Sequence, residues 1–185
     1  MRRLRRPART LCAALVWFLA QGGAQAASAA SEGVERGGDV LQIVLPVTAF
    51  AMTFGLKDYE GTRQLTKSFL ATMTATLALK VAIDAERPDG GGQSFPSGHT
   101  AAAFAGASFM QRRYGLRVGI PAYGAAAFVA WSRVDADRHH VRDVVAAAGL
   151  AVLSSYTLAR PLPNNITVLP TADDGVFGLM FSGSW

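Results

Sequence analysis

Apolar residues along the chain fall into five segments separated by short polar breaks. The segments run over about Val40 to Leu56, Leu65 to Ile83, Thr100 to Met110, Val118 to Trp131 and Val144 to Leu158. A half-buried strand alternates between apolar and polar residues, and none of the five segments does so. Each segment is instead rich in helix formers such as alanine and leucine. The pattern predicts an all-α protein, a helical bundle of five to six helices.

The apolar segments have no clear polar face. Leu41 to Leu56 and Val144 to Leu158 contain no charged residue, whereas a surface helix of a soluble protein keeps polar residues along one side. Each uninterrupted run is shorter than the roughly 20 residues that usually span a bilayer. The Thr, Ser, Gly and Pro within the runs are nevertheless residues that membrane helices use for close packing. The balance favours transmembrane helices, with a soluble exported bundle as the alternative.

Three clusters of basic residues lie in alternate loops, after the first, third and fifth segments. If the helices alternate across a membrane, these loops share one side, and the positive-inside rule assigns that side to the cytoplasm. The intervening loops then face outward, which in a bacterium places them on the periplasmic face of the inner membrane. The residues of the three clusters are Lys57, Arg63, Lys67, Arg112, Arg113, Arg117 and Arg160.

The first 26 residues have the pattern of a secretory signal peptide. They combine an arginine-rich start, an apolar stretch from Leu11 to Ala20, and Ala24 and Ala26 in an A-x-A arrangement. An uncleaved first membrane helix is the alternative interpretation. We therefore divide the chain into a leader (1–26), a helical domain (27–160) and a C-terminal tail (161–185), for which the sequence predicts no particular structure.

The excess of basic over acidic residues comes from the leader. The net charge is +5, from 18 basic and 13 acidic residues, but five of the arginines precede residue 10, so the remainder is formally neutral. Backbone binding to nucleic acid needs a surplus of positive charge, and we expect no nucleic-acid partner. Cys12, the one cysteine, also lies in the leader, so the helical domain contains neither disulfides nor cysteine metal sites.

Three stretches on the predicted outer side hold the residues that could bind a ligand or take part in catalysis. Lys80 lies in the last turn of the second segment and Arg87 follows that segment, and Pro96-Ser97-Gly98-His99 come directly before the third. Ser132 and Arg133 directly follow the fourth segment, and His139, His140 and Asp143 come before the fifth. Because the three stretches follow or precede helices on the same side of the bundle, we expect them to converge.

The convergence predicts a phosphate site. Arginine forks match the oxygens of a phosphate group, and a lysine adds a point charge. Ser97 and Gly98 precede a helix whose first N–H groups have no partner within the helix, and such a helix start binds anions. Lys80, Arg87 and Arg133 supply the cations, and the Ser97 hydroxyl adds a further hydrogen bond.

The histidines indicate catalysis rather than binding alone. His139 and Asp143 are four residues apart, so on a helix they share a face. The carboxylate can orient the ring while the other ring nitrogen attacks phosphorus, and His99 can give a proton to the departing oxygen. The adjacent His140 leaves the choice of nucleophile open on chemistry alone. A divalent-metal site built from the same histidines and Asp143 is disfavoured, because the nearby cations would repel the metal ion.

Together the three stretches resemble the tripartite signature of the type 2 phosphatidic acid phosphatase superfamily, which also includes bacterial acid phosphatases and vanadium haloperoxidases. The matching pieces are Lys80 with six residues before Arg87-Pro88, Pro96-Ser97-Gly98-His99, and Ser132-Arg133 with five residues before His139 and three more before Asp143. The resemblance covers residues 80 to 143. It implies a helical core, His139 as the nucleophile, Asp143 as its orienting partner and His99 as the general acid.

The same resemblance implies no cofactor and no catalytic metal, and a phosphate pocket formed by the remaining signature residues. For Ser132 there are two alternatives: it contacts the phosphate, or it has only a structural role. The pocket residues implied are Lys80, Arg87, Ser97, Gly98, Ser132 and Arg133.

We therefore expect a phosphatase of the membrane that hydrolyses a phosphomonoester or diphosphate through a phosphohistidine. The membrane setting favours a phospholipid or isoprenyl phosphate substrate, such as an isoprenyl diphosphate, phosphatidylglycerol phosphate, phosphatidate or lipid A. The alternatives are a soluble periplasmic acid phosphatase of broad specificity, a vanadate-dependent haloperoxidase, and a membrane protein that binds lipid without turnover.

Overall fold

The computed structural model describes residues 8–162, 166–173 and 176–183, with side chains over 31–162 and at Met180. Within these ranges the chain forms five α-helices and one β-hairpin, which confirms the predicted all-α bundle. The helices are α1 (Ala8–Gly55), α2 (Tyr59–Ile83), α3 (Gly98–Tyr114), α4 (Leu116–Asp135) and α5 (Val141–Leu158), and the strands are β1 (Ile166–Asp173) and β2 (Val176–Gly183).

The structure corrects the predicted start of the first helix. The polar stretch 27–39 does not separate a leader from the first apolar segment, because one continuous helix of 48 residues runs from Ala8 to Gly55. Polar residues can remain helical where their side chains find partners, and those of Glu35 and Asp39 do so on neighbouring elements. The arginine-rich start of the leader, 1–7, lies outside the described residues, and cleavage of the leader stays a prediction.

The bundle has small and polar residues inside and large apolar residues outside. In α2 the buried face carries Gln64, Ser68, Thr72 and Thr76, with Leu65 as the large apolar residue among them. The opposite face exposes its large apolar residues, namely Leu70, Leu77, Val81 and Ile83. A helix of a soluble protein shows the reverse arrangement, whereas small and hydroxyl side chains are typical of the contacts between membrane helices.

Two helices in the described part of the chain are long and apolar enough to cross a bilayer, Ser31–Gly55 within α1 and Val141–Leu158 in α5. On α1 the exposed side chains include Val40, Ile43 and Val47, each more than half accessible. On α5 the buried positions Ala147, Ala151 and Ser155 form a stripe of small residues at a spacing of four. These features support the transmembrane bundle that the sequence predicts.

The central helix is α3, which packs against the other four. Its small residues allow close approach of the neighbouring backbones. A Cβ atom added at Gly106 would lie 2.7 Å from the backbone of Leu45 and Pro46 in α1, a separation that van der Waals repulsion forbids. Glycine at this position therefore sets the distance between α1 and α3.

The two ends of the bundle differ in chemistry. At one end, which we call the site end, lie residues 31–39 of α1, the α2–α3 loop (84–97) and the α4–α5 loop (136–140). At the other end Asp58 accepts hydrogen bonds from the buried guanidinium of Arg113 and from Tyr114. Arg113 also donates to the carbonyl of Arg160. This buried ion pair joins the α1–α2 loop, α3 and the segment after α5.

The C-terminal tail contains an antiparallel hairpin that the sequence analysis did not foresee. β1 pairs with β2 in a register that sets Ile166 opposite Gly183 and Asp173 opposite Val176. The backbone of β1 lies against α4. The hairpin adds a two-stranded element to an otherwise helical protein.

Candidate active site

A cavity of about 440 Å³ opens at the site end of the bundle. It is bordered by α1, by the end of α2 with the loop that follows, by the start of α3, and by the α4–α5 connection. The three signature stretches thus converge as the sequence analysis expected. The side chains and backbone that line the cavity belong to Glu35, Asp39, Lys80, Arg87, Gly98, His99, Arg133, Arg138 and His139.

His139 lies in the wall of the cavity with its Nδ1 edge turned towards buried acceptors. Nδ1 is 3.6 Å from Oδ2 of Asp143 and 3.5 Å from the Ser94 hydroxyl. Ser94 in turn donates to the same Oδ2 atom at 2.5 Å. Asp143 is completely buried, and its carboxylate also lies 3.5 Å from Nδ1 of His140 and 3.5 Å from Nε of Arg142. His139 itself lines the cavity.

The local backbone explains how these groups are held. The loop that carries His139 folds back on α4, since the His139 N–H donates to the Arg133 carbonyl at 3.1 Å. The His140 N–H donates to Asp143 Oδ2 at 2.9 Å and begins α5. The Ser97 N–H donates to the Asp143 carbonyl at 3.1 Å. The α2–α3 loop, the α4–α5 loop and the first turn of α5 are therefore one hydrogen-bonded unit.

The positive groups surround the cavity and are anchored by backbone oxygens. Lys80 donates to the Gln93 carbonyl at 2.6 Å, and Arg87 donates to the Gly92 carbonyl at 3.1 Å. Arg133 is almost completely buried and donates to the Glu35 carbonyl at 2.6 Å. Such fixed donors are suited to a tetrahedral oxyanion, because they do not have to reorganise when it binds.

The first turn of α3 contributes Gly98 and His99 to the cavity. Ser97 is the N-cap of this helix, and its hydroxyl accepts from the Thr100 N–H. His99 is about one-third exposed, and its Nε2 lies 3.1 Å from Oδ1 of Asp39. Gly98 and His99 at this helix start border the same cavity as Lys80, Arg87 and Arg133. Binding of an anion by the helix start stays a prediction.

Two of the predicted phosphate ligands lie behind the cavity rather than in its lining. Ser132 is buried, donates to the Val129 carbonyl at 2.8 Å and accepts from the Arg133 side chain at 3.2 Å. Ser97 is equally buried and serves as a helix cap. Both serines therefore position neighbouring groups. For Ser132 this agrees with the structural role that the sequence analysis gave as an alternative.

Sequence reasoning missed four residues around the cavity: Glu35, Asp39, Ser94 and Arg138. The Asp39 carboxylate bonds Arg133 at 2.8 Å. Arg138 bridges Glu35 at 3.0 Å and Asp89 at 3.2 Å, and so links α1 to the α2–α3 loop. A signal was present in E-R-G-G-D at 35–39, where acids flank a pair of glycines just before an apolar segment. Only the packing of α1 shows what those acids contact.

Burial sets the protonation state of His139. Removal from solvent lowers the pKa of its imidazole from 6.5 to about 4, and the charges of Lys80 and Arg87 act in the same direction. Asp143 opposes the shift. At neutral pH the ring is therefore uncharged, with one nitrogen available as a nucleophile.

Comparison with known proteins agrees with this geometry. Residues 57–166, more than half of the chain, match the PAP2 superfamily. The chain belongs to the PAP2 superfamily. The resemblance inferred from the three sequence stretches is thereby confirmed, and with it the assignment as a phosphatase of the type 2 phosphatidic acid phosphatase kind.

Among PAP2 proteins the chain is similar to two lipid A phosphatases. It is 28% identical over 170 residues to the lipid A 4'-phosphatase of Helicobacter pylori, an alignment that covers 82% of this chain and 85% of that protein. It is 41% identical over 71 residues to the lipid A 1-phosphatase of Porphyromonas gingivalis, covering 36% of this chain and 16% of that protein.

A solved structure shares the fold. The crystal structure of Aquifex aeolicus LpxE superposes with a TM-score of 0.54 at 20% sequence identity, over 64% of this chain and 83% of that one. At this level of identity the likeness concerns the arrangement of helices, and the chemistry must be argued from the residues of this chain.

Proposed function

We propose that this PAP2 protein hydrolyses a phosphate ester of a membrane lipid through a phosphohistidine on His139. The observation that carries the proposal is the cavity itself. It places Lys80, Arg87 and Arg133 around one neutral imidazole whose Nδ1 edge faces the buried Asp143. A group that binds there has its phosphorus within reach of a nucleophile and its oxygens among fixed cations.

In the first step Nε2 of His139 attacks phosphorus and the P–O bond to the lipid breaks. The departing oxygen takes a proton from His99, which lies across the cavity at the start of α3. The imidazole of His139 becomes positively charged as the N–P bond forms. Asp143 and Ser94, on the Nδ1 side, stabilise that charge.

In the second step a water molecule attacks the phosphoryl group and the N–P bond breaks. His99, now neutral, accepts the proton of the attacking water. The products are the dephosphorylated lipid and inorganic phosphate, one water molecule is consumed, and His139 and His99 return to their starting protonation states. Throughout both steps the cations and the N–H groups of the α3 start stabilise the negative charge on the phosphoryl oxygens.

The proposed substrate is a lipid whose phosphate lies at the membrane surface, with lipid A as the first candidate. The apolar outer faces of α1, α2 and α5 support a lipid-embedded enzyme, and a cavity at one end of such a bundle lies at the depth of lipid headgroups. The two relatives are a lipid A 4'-phosphatase and a lipid A 1-phosphatase, which supports lipid A over other phospholipids.

We further propose that the site end faces the periplasm. The basic clusters of the α1–α2 and α3–α4 connections lie at the opposite end of the bundle. The positive-inside rule assigns that opposite end to the cytoplasm.

The test is phosphate release by the purified protein in detergent with EDTA present. The panel contains lipid A, phosphatidylglycerol phosphate, phosphatidate, an isoprenyl diphosphate and p-nitrophenyl phosphate. We expect turnover of one lipid well above the rest, and a loss of about 10³-fold or more in His139→Gln because the nucleophile is absent. A ³²P label on wild-type protein, stable to alkali and labile to acid, identifies the phosphohistidine.

His140→Gln is the matched control, because it makes the same change one residue further along the chain. The His140 ring does not line the cavity, but its Nδ1 lies 3.5 Å from Oδ2 of Asp143. We therefore expect this variant to lose far less activity than His139→Gln. Equal rates on every substrate would favour a broad acid phosphatase instead. Activity that survives in His139→Gln, or that EDTA abolishes, would contradict the proposed mechanism.

A further inference from the structure

One carboxylate oxygen bridges two of the nitrogen-bearing side chains that line the cavity. Oδ1 of Asp39 lies 2.8 Å from Nη1 of Arg133 and 3.1 Å from Nε2 of His99. These two nitrogens belong to the groups that, under the proposed function, bind a phosphoryl oxygen and protonate the departing oxygen. In this structure the acid of α1 therefore holds the positions that the substrate needs.

The position of Asp39 is built into the packing of α1 on α4. A Cβ atom added to the preceding residue, Gly38, would lie 2.0 Å from the Ser132 hydroxyl and 2.7 Å from Nη2 of Arg133. Glycine thus allows α1 to approach close enough for the next side chain to reach the guanidinium. The Glu35 carbonyl one turn earlier accepts from the same guanidinium, so α1 binds both terminal nitrogens of Arg133.

The Asp39 side chain remains able to move although its partner is fixed. It is 48% exposed, whereas the Arg133 side chain is 3% exposed. Rotation of the carboxylate towards solvent would free Arg133 and His99 without disturbing the core. A partly hydrated carboxylate is an anion of moderate affinity that a phosphate with two charges can displace.

We propose that Asp39 is an internal competitor for the phosphate: it holds Arg133 and His99 in the free enzyme, leaves them when a phosphoryl group binds, and returns to them as inorganic phosphate departs. This proposal rests on the proposed function, because it takes the cavity to be the phosphate site. Its consequence is weak product binding. A pocket with this many fixed cations would otherwise retain the dianionic product and limit turnover.

The experiment measures binding of inorganic phosphate to the purified protein by calorimetry, in detergent with EDTA. Asp39→Asn keeps the size and removes the charge, and Asp39→Ser removes the reach as well. We expect phosphate to bind about tenfold or more tightly to both variants, with competitive product inhibition strengthened by the same factor. The matched control is Glu32→Gln, the same change two turns earlier on α1, where the carboxylate bonds only the exposed Arg36 among the described residues.

The sign of the effect separates this role from a structural one. If Asp39 only held Arg133 in place, both variants would bind phosphate more weakly and KM would rise, which would overturn the proposal while leaving the phosphate site intact. The same change in Glu32→Gln as in Asp39→Asn would also overturn it, since a general loss of negative charge would then explain the result. Binding of phosphate by none of the proteins would overturn the proposed function together with this inference.

Discussion

At the scale of single residues, the proposed mechanism requires that His139 stay neutral although cations surround it. Burial lowers its pKa to about 4, with Lys80 and Arg87 adding to the effect. In the unfolded chain the imidazole titrates near 6.5, so between these two values the unfolded state binds more protons. The contribution of His139 to stability is therefore present above pH 6.5 and is lost as the pH falls towards 4.

The kinetic consequence is a test of what tunes His139. Protonation removes the nucleophile, so kcat/KM should fall on the acid side with an apparent pKa near 4. Lys80→Met removes one of the charges that lower this pKa, and we expect the acid limb to move upwards, towards 6.5, in addition to a general loss of rate. The measurement is kcat/KM for p-nitrophenyl phosphate from about pH 3 to pH 8.

Lys67→Met provides the control, because this exposed lysine belongs to α2 but lies towards the opposite end of the bundle. The acid limb of the kcat/KM profile of Lys67→Met should coincide with that of the wild-type protein. An unchanged acid limb in Lys80→Met would contradict a contribution of Lys80 to the lowered pKa of His139 and would leave desolvation and Arg87 as its causes.

At the scale of elements, the long helix α1 contributes more than a membrane anchor. Its acids at 35 and 39 contact Arg133, Arg138 and His99, which come from three other parts of the chain. Small residues make this possible. Gly37 faces the ring of Phe128, and Gly38 faces the hydroxyl of Ser132, each at a distance that a larger residue would disturb.

We expect Gly38→Ala to reduce kcat/KM by about 10²-fold. The new methyl group would force Ser132 and Arg133 away from their present positions, and a displacement of about 1 Å is enough for such a loss. The matched control is Gly33→Ala on the same helix, where an added Cβ has no neighbour within 4 Å. That variant should keep its activity and gain about 0.5–1 kcal/mol of stability from the better helix former. Kinetics and thermal unfolding in detergent measure both effects.

Equal activity of Gly38→Ala and Gly33→Ala would contradict the close approach of α1 to α4. A loss of activity in both would indicate that α1 tolerates no side chain at either position, and the argument from contact distance would then fail.

At the scale of the whole molecule, the bundle places its apolar and polar surfaces as a membrane protein does. Large apolar side chains such as Ile43, Leu77 and Leu153 point outward, and hydroxyl side chains such as Thr72 and Ser155 are buried. In water this distribution would leave a large apolar surface hydrated at a high free-energy cost. In a bilayer the same surface contacts acyl chains. Among the buried hydroxyls, that of Thr72 donates to the Ser68 carbonyl, whereas those of Thr76 and Ser155 have no partner among the described residues.

The expected behaviour is that of an integral membrane protein. Alkaline carbonate, which removes proteins held by charge, should leave the protein in the membrane pellet, and detergent should extract it in active form. The measurement is the distribution of protein and of phosphatase activity between supernatant and pellet. Active protein in the carbonate supernatant would favour the soluble periplasmic phosphatase considered from the sequence.

How much the sequence could predict depends on whether the relevant residues are close along the chain. The helices were predicted from apolar runs, and their true ends extend beyond the runs because caps such as Ser97 begin helices before the apolar residues do. His139 and Asp143 could be paired because four residues make one helical turn. The order of the three signature stretches carried the family assignment.

The order of residues along the chain was enough to predict the helical bundle, its preference for a membrane, and the set of groups from Lys80 to Asp143 that suits phosphate chemistry. Only the packing of the helices shows which of those groups line the cavity and which, like Ser132, lie behind it. It also brought Asp39 to Arg133, which is 94 residues away along the chain. The physical reason is that hydrophobic spacing fixes which face of a helix is buried, whereas a contact between two helices depends on how closely their backbones approach, and here that depends on Gly38.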